Sequence, residues 1–195
     1  MKDAAPLSLG PDVIQRLIPH RRPLLMVDRV LAYRHRPRPA LWARRQISAN
    51  EGVFEGHFPG VSLWPGVYTI EGLGQTTLLC AIIAYVVERR TREGGNGLEF
   101  LDTLRALERS YTRPLGGTPP PALDAPHPRL GMAGHVDIKF IAPVFAGCEL
   151  HYRVELTHVL DTLARFDVVA EVAGAEVARG TMTGAMDPSM VLSAP

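Results

Sequence analysis

Residues 65–90 read PGVYTIEGLGQTTLLCAIIAYVVERR, and this stretch decides the fold. Val67, Ile70, Leu73, Gly74, Leu78, Ala81, Ile82, Tyr85 and Val86 recur at steps of three and four, the period of an α-helix. Pro65 stands where a helix can begin. Apolar residues cover more than half of the circumference, so the helix is expected to be largely buried. Gly72 and Gly74 each cost about 1 kcal/mol relative to alanine inside a helix, which predicts a close neighbour beside them. Glu71, Gln75 and three threonines make the stretch too polar to read as an unbroken membrane span.

Downstream of it the period changes to two. Residues 136–141, 148–159, 163–172 and 176–186 are predicted strands, joined by short connections such as Leu160-Asp161-Thr162 and Ala173-Gly174. Leu150, Tyr152, Val154 and Leu156 alternate with His151, Arg153 and Glu155, the pattern of an antiparallel meander with one wet face. Upstream, a frayed start is followed by a short helix at 11–18, a strand or buried extended segment at 24–31, a turn at 34–39 and a strand at 41–47. Residues 53–65 hold too many glycines and prolines for a regular element and form a loop. One buried helix with an antiparallel sheet is an α+β layout. Residues 91–130 carry two Gly-Gly pairs and a proline-rich run, with Leu98, Leu101, Leu104 and Leu107 three apart on a short amphipathic helix. They are read as an insertion, a lid or flap, on a single domain spanning 1–195.

Composition narrows the function. Of 195 residues, 46% are hydrophobic and 21% charged, with a net charge of +1, so no global field favours nucleic acid or an anionic membrane. Cys80 and Cys148 sit in apolar surroundings with neither a disulfide framework nor a zinc spacing, as in a reducing compartment. The first ten residues lack the apolar core of a secretory signal, and a cytoplasmic location is expected. No metal is expected, since His127, His135, His151 and His158 lack close ligand spacing. Arg34, Arg36, Arg38, Arg44 and Arg45 are read chiefly as a solvated surface.

Two residues stand out chemically. His57 is framed by Gly56, Pro59 and Gly60, which fix the backbone around it. A lone histidine is more often structural than catalytic, so His57 needs a partner to matter. Glu71 lies one and a half turns into an otherwise apolar helix, where a carboxylate is costly unless paired. Facing one cavity, the two would form an acid/base pair. Pro65-Gly66-Val67 places free backbone N–H groups at the helix start, suited to negative charge developing on an oxygen. Gln75, one turn beyond Glu71, can reach its carboxylate.

Three motifs in order carry a family resemblance: Ile18-Pro19-His20-Arg21 through Val30; Gly56-His57-Phe58-Pro59-Gly60 with Trp64-Pro65-Gly66-Val67; and Ile70-Glu71-Gly72-Leu73-Gly74-Gln75. Together with Lys139-Phe140 and Pro143-Val144, they resemble the FabZ-type 3-hydroxyacyl-acyl-carrier-protein dehydratases. The resemblance implies a hot-dog fold, a long central helix wrapped by a curved antiparallel sheet. It implies a homodimer or higher homo-oligomer, and dehydration of a 3-hydroxyacyl thioester delivered by acyl carrier protein, without cofactor. His57 and Glu71 would be the catalytic residues, from opposite subunits, with Gly66, Phe58, Val67 and Gln75 binding substrate. A glutamate rather than an aspartate at 71 favours dehydration without isomerisation. Arg22, Gly72, Gly74, Ala146 and the insertion depart from the family pattern. A hot-dog thioesterase and a non-catalytic acyl-binding or scaffold module are the alternatives. The His57 motif disfavours the first, and the intact His57 and Glu71 disfavour the second.

Overall fold

The computed structural model describes residues 3–112, 122–123 and 132–185. Seven strands form one sheet: β1 (Ala5–Leu9), β2 (Arg29–Arg34), β3 (Ala40–Gln46), β4 (Met132–Phe140), β5 (Glu149–Leu160), β6 (Leu163–Val172) and β7 (Ala175–Ala185). Their order across the sheet is β1-β2-β3-β5-β6-β7-β4, with every neighbouring pair antiparallel. Three helices accompany them: α1 (Pro11–Leu17), α2 (Gly66–Arg92) and α3 (Glu99–Tyr111). The 27-residue α2 packs across β3, β5 and β6, the hot-dog arrangement.

Burial follows the two periodicities. Leu150, Tyr152, Val154 and Leu156 of β5 are all buried, each at most 1% exposed. The register slips between Leu156 and His158, so Thr157 also turns inward and satisfies its hydroxyl on the Arg165 carbonyl at 3.1 Å. In α2, Leu79 through Ala84 are buried without a break, so this half of the helix is enclosed all round. By length and composition α2 could cross a membrane, but 67% of its most apolar window is packed inside the protein.

The close neighbour expected beside Gly72 is Tyr152. A Cβ at Gly72 would lie 2.3 Å from the Tyr152 hydroxyl oxygen, so the glycine makes room for the hydroxyl end of the ring against the helix. At Gly74 the approach is milder, 3.4 Å to the Met182 methyl.

One local expectation changes and another is sharpened. The N-terminus is not frayed from its start: β1 pairs with β2, Ala5 opposite Tyr33 and Leu9 opposite Val30. The 24–31 segment becomes a strand only at Arg29; Leu25, Met26 and Val27 are buried but lie outside the ladder. The Met26 N–H instead donates to the side chain of Gln75 at 2.8 Å, which diverts this stretch from strand pairing.

The amphipathic helix at the start of the insertion is α3. Phe100, Leu101, Leu104 and Leu107 are buried against β1, α1 and α2. Glu108 accepts the Gly10 N–H at 2.7 Å and so caps the start of α1. Arg105 donates to the Pro6 carbonyl through both Nε and Nη2. This part of the insertion braces the N-terminal strand and helix. Apart from 122–123, residues 113–131 lie outside the described residues, and the lid reading of them with it.

Candidate functional site

His57 follows a 3-10 turn (Gly52–Glu55) whose Phe54 is buried edge-on against Trp64, centroids 6.2 Å apart. The loop then doubles back: Phe58 and Val61 exchange backbone hydrogen bonds at 2.8 Å, and Gly60 takes the left-handed φ of 84° that this turn needs. Trp64 N–H donates to Val144 O at 2.8 Å and Ala146 N–H to Ser62 O at 3.1 Å, fastening the loop to the segment after β4. The result fixes the imidazole. Its Nδ1 lies 2.9 Å from the Leu63 carbonyl oxygen, which can only accept, so Nδ1 carries the proton. In the neutral ring Nε2 is then bare, the form a base requires. Phe58, half-exposed, stacks on the same ring with centroids 4.1 Å apart.

The cleft beside His57 spans about 1030 Å³ of space, part of it open to solvent, and includes Gly66, Val67, Trp64 and Phe140 in its wall. It therefore holds the start of α2. Pro65 caps that helix without a side-chain hydrogen bond, leaving the first amides with no intrahelical partner. A Cβ at Gly66 would sit 2.7 Å from the tip of the Phe140 ring, so the aromatic covers the helix start closely and would have to shift for any larger residue. Val67, expected in the buried stripe, is instead 66% exposed at the rim.

Glu71 lies elsewhere. It lines a second cavity of about 710 Å³ with His20, Gln75, Leu78, Phe166 and Met182. Five helical residues separate Glu71 from Gly66, a rotation of about 140° about the axis. Within one chain the structure thus brings His57 together with Gly66, Val67 and Phe58, and Glu71 together with Gln75, but it does not bring His57 to Glu71. Gln75 is 1% exposed and fully used. Its Oε1 accepts the Met26 N–H at 2.8 Å, and its Nε2 donates to the Leu24 carbonyl at 2.6 Å and to Glu71 Oε1 at 2.8 Å.

Sequence reasoning passed over His20, whose Nε2 is 3.5 Å from Glu71 Oε1. It also missed Phe140 as the cover of the helix start. His20 lies in a quoted motif, but nothing in a linear reading says that the end of α1 folds back onto residue 71. The basic run at 34–45 is largely neutralised: Arg34 meets Glu155 at 2.6 Å, Arg45 meets Asp28 at 3.0 Å and Glu51 at 2.5 Å, and Arg44 meets Glu149. Among the described residues, no three His, Cys, Asp or Glu side chains gather to hold a metal ion.

Comparison with known proteins identifies the family and the fold. The FabA-like domain family matches residues 18–102, which hold His20, His57, Glu71 and Gln75. The 3-hydroxyacyl-acyl-carrier-protein dehydratase FabZ of Thioalkalivibrio sulfidiphilus is 31% identical over 169 residues, 87% of this chain and 91% of that protein. The FabZ of Polynucleobacter necessarius is 43% identical over 76 residues, where the match spans only half of that relative's length. Among solved structures, the dehydratase heterocomplex ApeI:P from Xenorhabdus doucetiae shares the fold, with a TM-score of 0.55 at 12% identity over 89% of this chain and 90% of that one. The chain belongs to the family of FabZ-type 3-hydroxyacyl-acyl-carrier-protein dehydratases.

Proposed function

We propose that this protein dehydrates a 3-hydroxyacyl thioester, carried by acyl carrier protein, to the trans-2-enoyl thioester, and that it works as a single-domain homodimer in the cytoplasm. The observation that carries this reading is the locked imidazole: His57 Nδ1 is tied to the Leu63 carbonyl, and its bare Nε2 shares a cavity with the unpaired amides that open α2. A C2 proton next to a thioester is only weakly acidic, so its removal needs a base and a polarised carbonyl in one place.

In this scheme the thioester oxygen receives the Gly66 N–H while Nε2 of His57 takes the C2 proton. Electron density moves onto the carbonyl oxygen and returns as the C2–C3 double bond forms and the C3–O bond breaks. Glu71, in its acid form, protonates the departing hydroxyl through Oε2, giving water. The imidazolium and carboxylate that remain exchange a proton through solvent, which restores both groups. Phe58 and Val67 border the thioester, and Gln75 holds Glu71.

The second subunit is part of the proposal because one chain separates the two groups. Support comes from β4, an edge strand with exposed Met132, Val136 and Phe140, and from exposed Val67 and Phe58 nearby in the chain's fold. Long apolar edges of this kind are normally covered, and a second copy of the same chain would cover them symmetrically. The test is turnover of a short 3-hydroxyacyl-carrier thioester followed by mass spectrometry, beside His57→Ala and Glu71→Gln. Enoyl product from the wild type and loss in both folded variants support the assignment. An inert wild type across chain lengths and carriers overturns it, and release of free thiol would point to a thioesterase.

A further inference from the structure

The acid that the dehydration scheme places at Glu71 has one neighbour with no role so far. His20 follows α1 in the Pro19–Pro23 stretch and points Nε2 at Glu71 Oε1, 3.5 Å away. Its other nitrogen, Nδ1, is buried with no hydrogen-bond partner. An orphaned N–H in such a place is costlier than an orphaned lone pair, and an imidazolium would bury a charged N–H there. An orphaned Nδ1 thus favours the tautomer that carries its proton on Nε2, facing the carboxyl group.

Three further facts define what that contact does. Gln75 cannot turn over, because Met26 N–H needs its oxygen and the Leu24 carbonyl needs its nitrogen, so Glu71 Oε1 must accept from Nε2 of Gln75. Arg21, the nearest cation in sequence, spends its guanidinium on the carbonyls of Gln15, Ile18 and His20 and so pins the His20 backbone. The walls that β4, β6 and β7 contribute to the cavity hold no titratable side chain, leaving His20 and Glu71 as its ionisable groups among the described residues. We propose that His20, as the neutral Nε2–H tautomer, is a positioning residue. With Gln75 it holds Oε1 of Glu71 from two sides and leaves Oε2 turned to the substrate hydroxyl. Two neutral donors orient the carboxyl group without the permanent ion pair that a lysine or arginine would form, which suits a group that must release and regain a proton. The 3.5 Å separation is one small ring rotation from a hydrogen bond, and such contacts tighten when substrate binds.

This inference rests on the dehydratase reading for its kinetic arm only. In the full-length protein, His20→Leu should lower kcat roughly 10- to 100-fold with little change in KM, since the carboxyl is left misaligned. His20→Gln sets an amide N–H close to where Nε2 stands and should recover most of the rate; His20→Asn, whose amide stands where Nδ1 does, should not. A packing role would not rank Gln above Asn, so equal rates for the two, or Gln no better than Leu, overturn the proposal. Independently of turnover, nitrogen-15 NMR of the imidazoles should show His20 with a protonated Nε2 and a bare Nδ1 at neutral pH, and Glu71→Gln should shift its Nε2 resonance. The opposite tautomer, an imidazolium, or an unmoved resonance overturns it. A wild type inert on every hydroxyacyl substrate, with the tautomer and the shift as described, counts against the dehydratase reading and supports the His20–Glu71 contact.

Discussion

Mixing two dead variants tests most directly how the site is built. His57 and the start of α2 share one cavity and Glu71 lines another, about 140° away around the helix. In a two-fold dimer each composite site would take His57 from one chain and Glu71 from the other. His57→Ala and Glu71→Gln should each lose roughly 100-fold or more of the rate, the usual contribution of an acid/base group. When the two chains are coexpressed in equal amounts, half of the dimers are mixed. One site in each mixed dimer inherits both defects and the other inherits none. Two-fold symmetry therefore predicts recovery to about one quarter of wild-type activity, and to about one half for purified mixed dimers carrying two different tags. The assay is the same thioester turnover, normalised to folded protein. If the mixture never exceeds its parents while mixed dimers are demonstrably present, His57 and Glu71 act within one chain, and the separation seen here is not the working arrangement.

Other outcomes follow from the packing. Gly72→Ala should destabilise by about 1–3 kcal/mol in denaturant melts, because the buried Tyr152 ring must move for the new methyl; a more stable variant would mean that the ring yields freely. Tyr152→Phe should be neutral or stabilising by about 1 kcal/mol, since the hydroxyl is buried without a partner. Leu104→Ala in α3 should cost about 2–5 kcal/mol in a single cooperative transition; a separate early transition would show that α3 is not part of the core. Burial pushes the Cys80 thiol and the Tyr33 and Tyr152 phenols above their ordinary values. The unfolded chain then releases protons that the folded one keeps. Stability should be full below the ordinary thiol range and fall as pH rises past about 8.5, by up to about 1.4 kcal/mol per pH unit for each group. A melt series from pH 7 to 10.5 checks this, and a flat profile would refute it.

Short-range information was enough for much of this protein. The helical period at 65–90 marked α2, the alternation at 150–156 marked β5, and the glycines and prolines around His57 marked a rigid loop, because these patterns express local backbone preferences and one-sided burial. The spacing of Glu71 and Gln75 likewise put their side chains one turn apart, and they meet at 2.8 Å. Long-range pairing decided the rest. β1 is a strand because residues 29–34 offer it an edge and α3 covers its face, neither of which five residues can announce. Met26 leaves its ladder for Gln75, 49 positions away. His20 reaches Glu71 only because α1 folds back onto α2. Above all, residue chemistry nominated His57 and Glu71 as partners and the family resemblance set them on opposite subunits, whereas the tertiary structure supplies the reason: one chain lines different cavities with them, on different sides of α2. The cause is geometric: a loop entering at the N-terminus of α2 meets one side of it, and a residue five positions on has already turned toward the other.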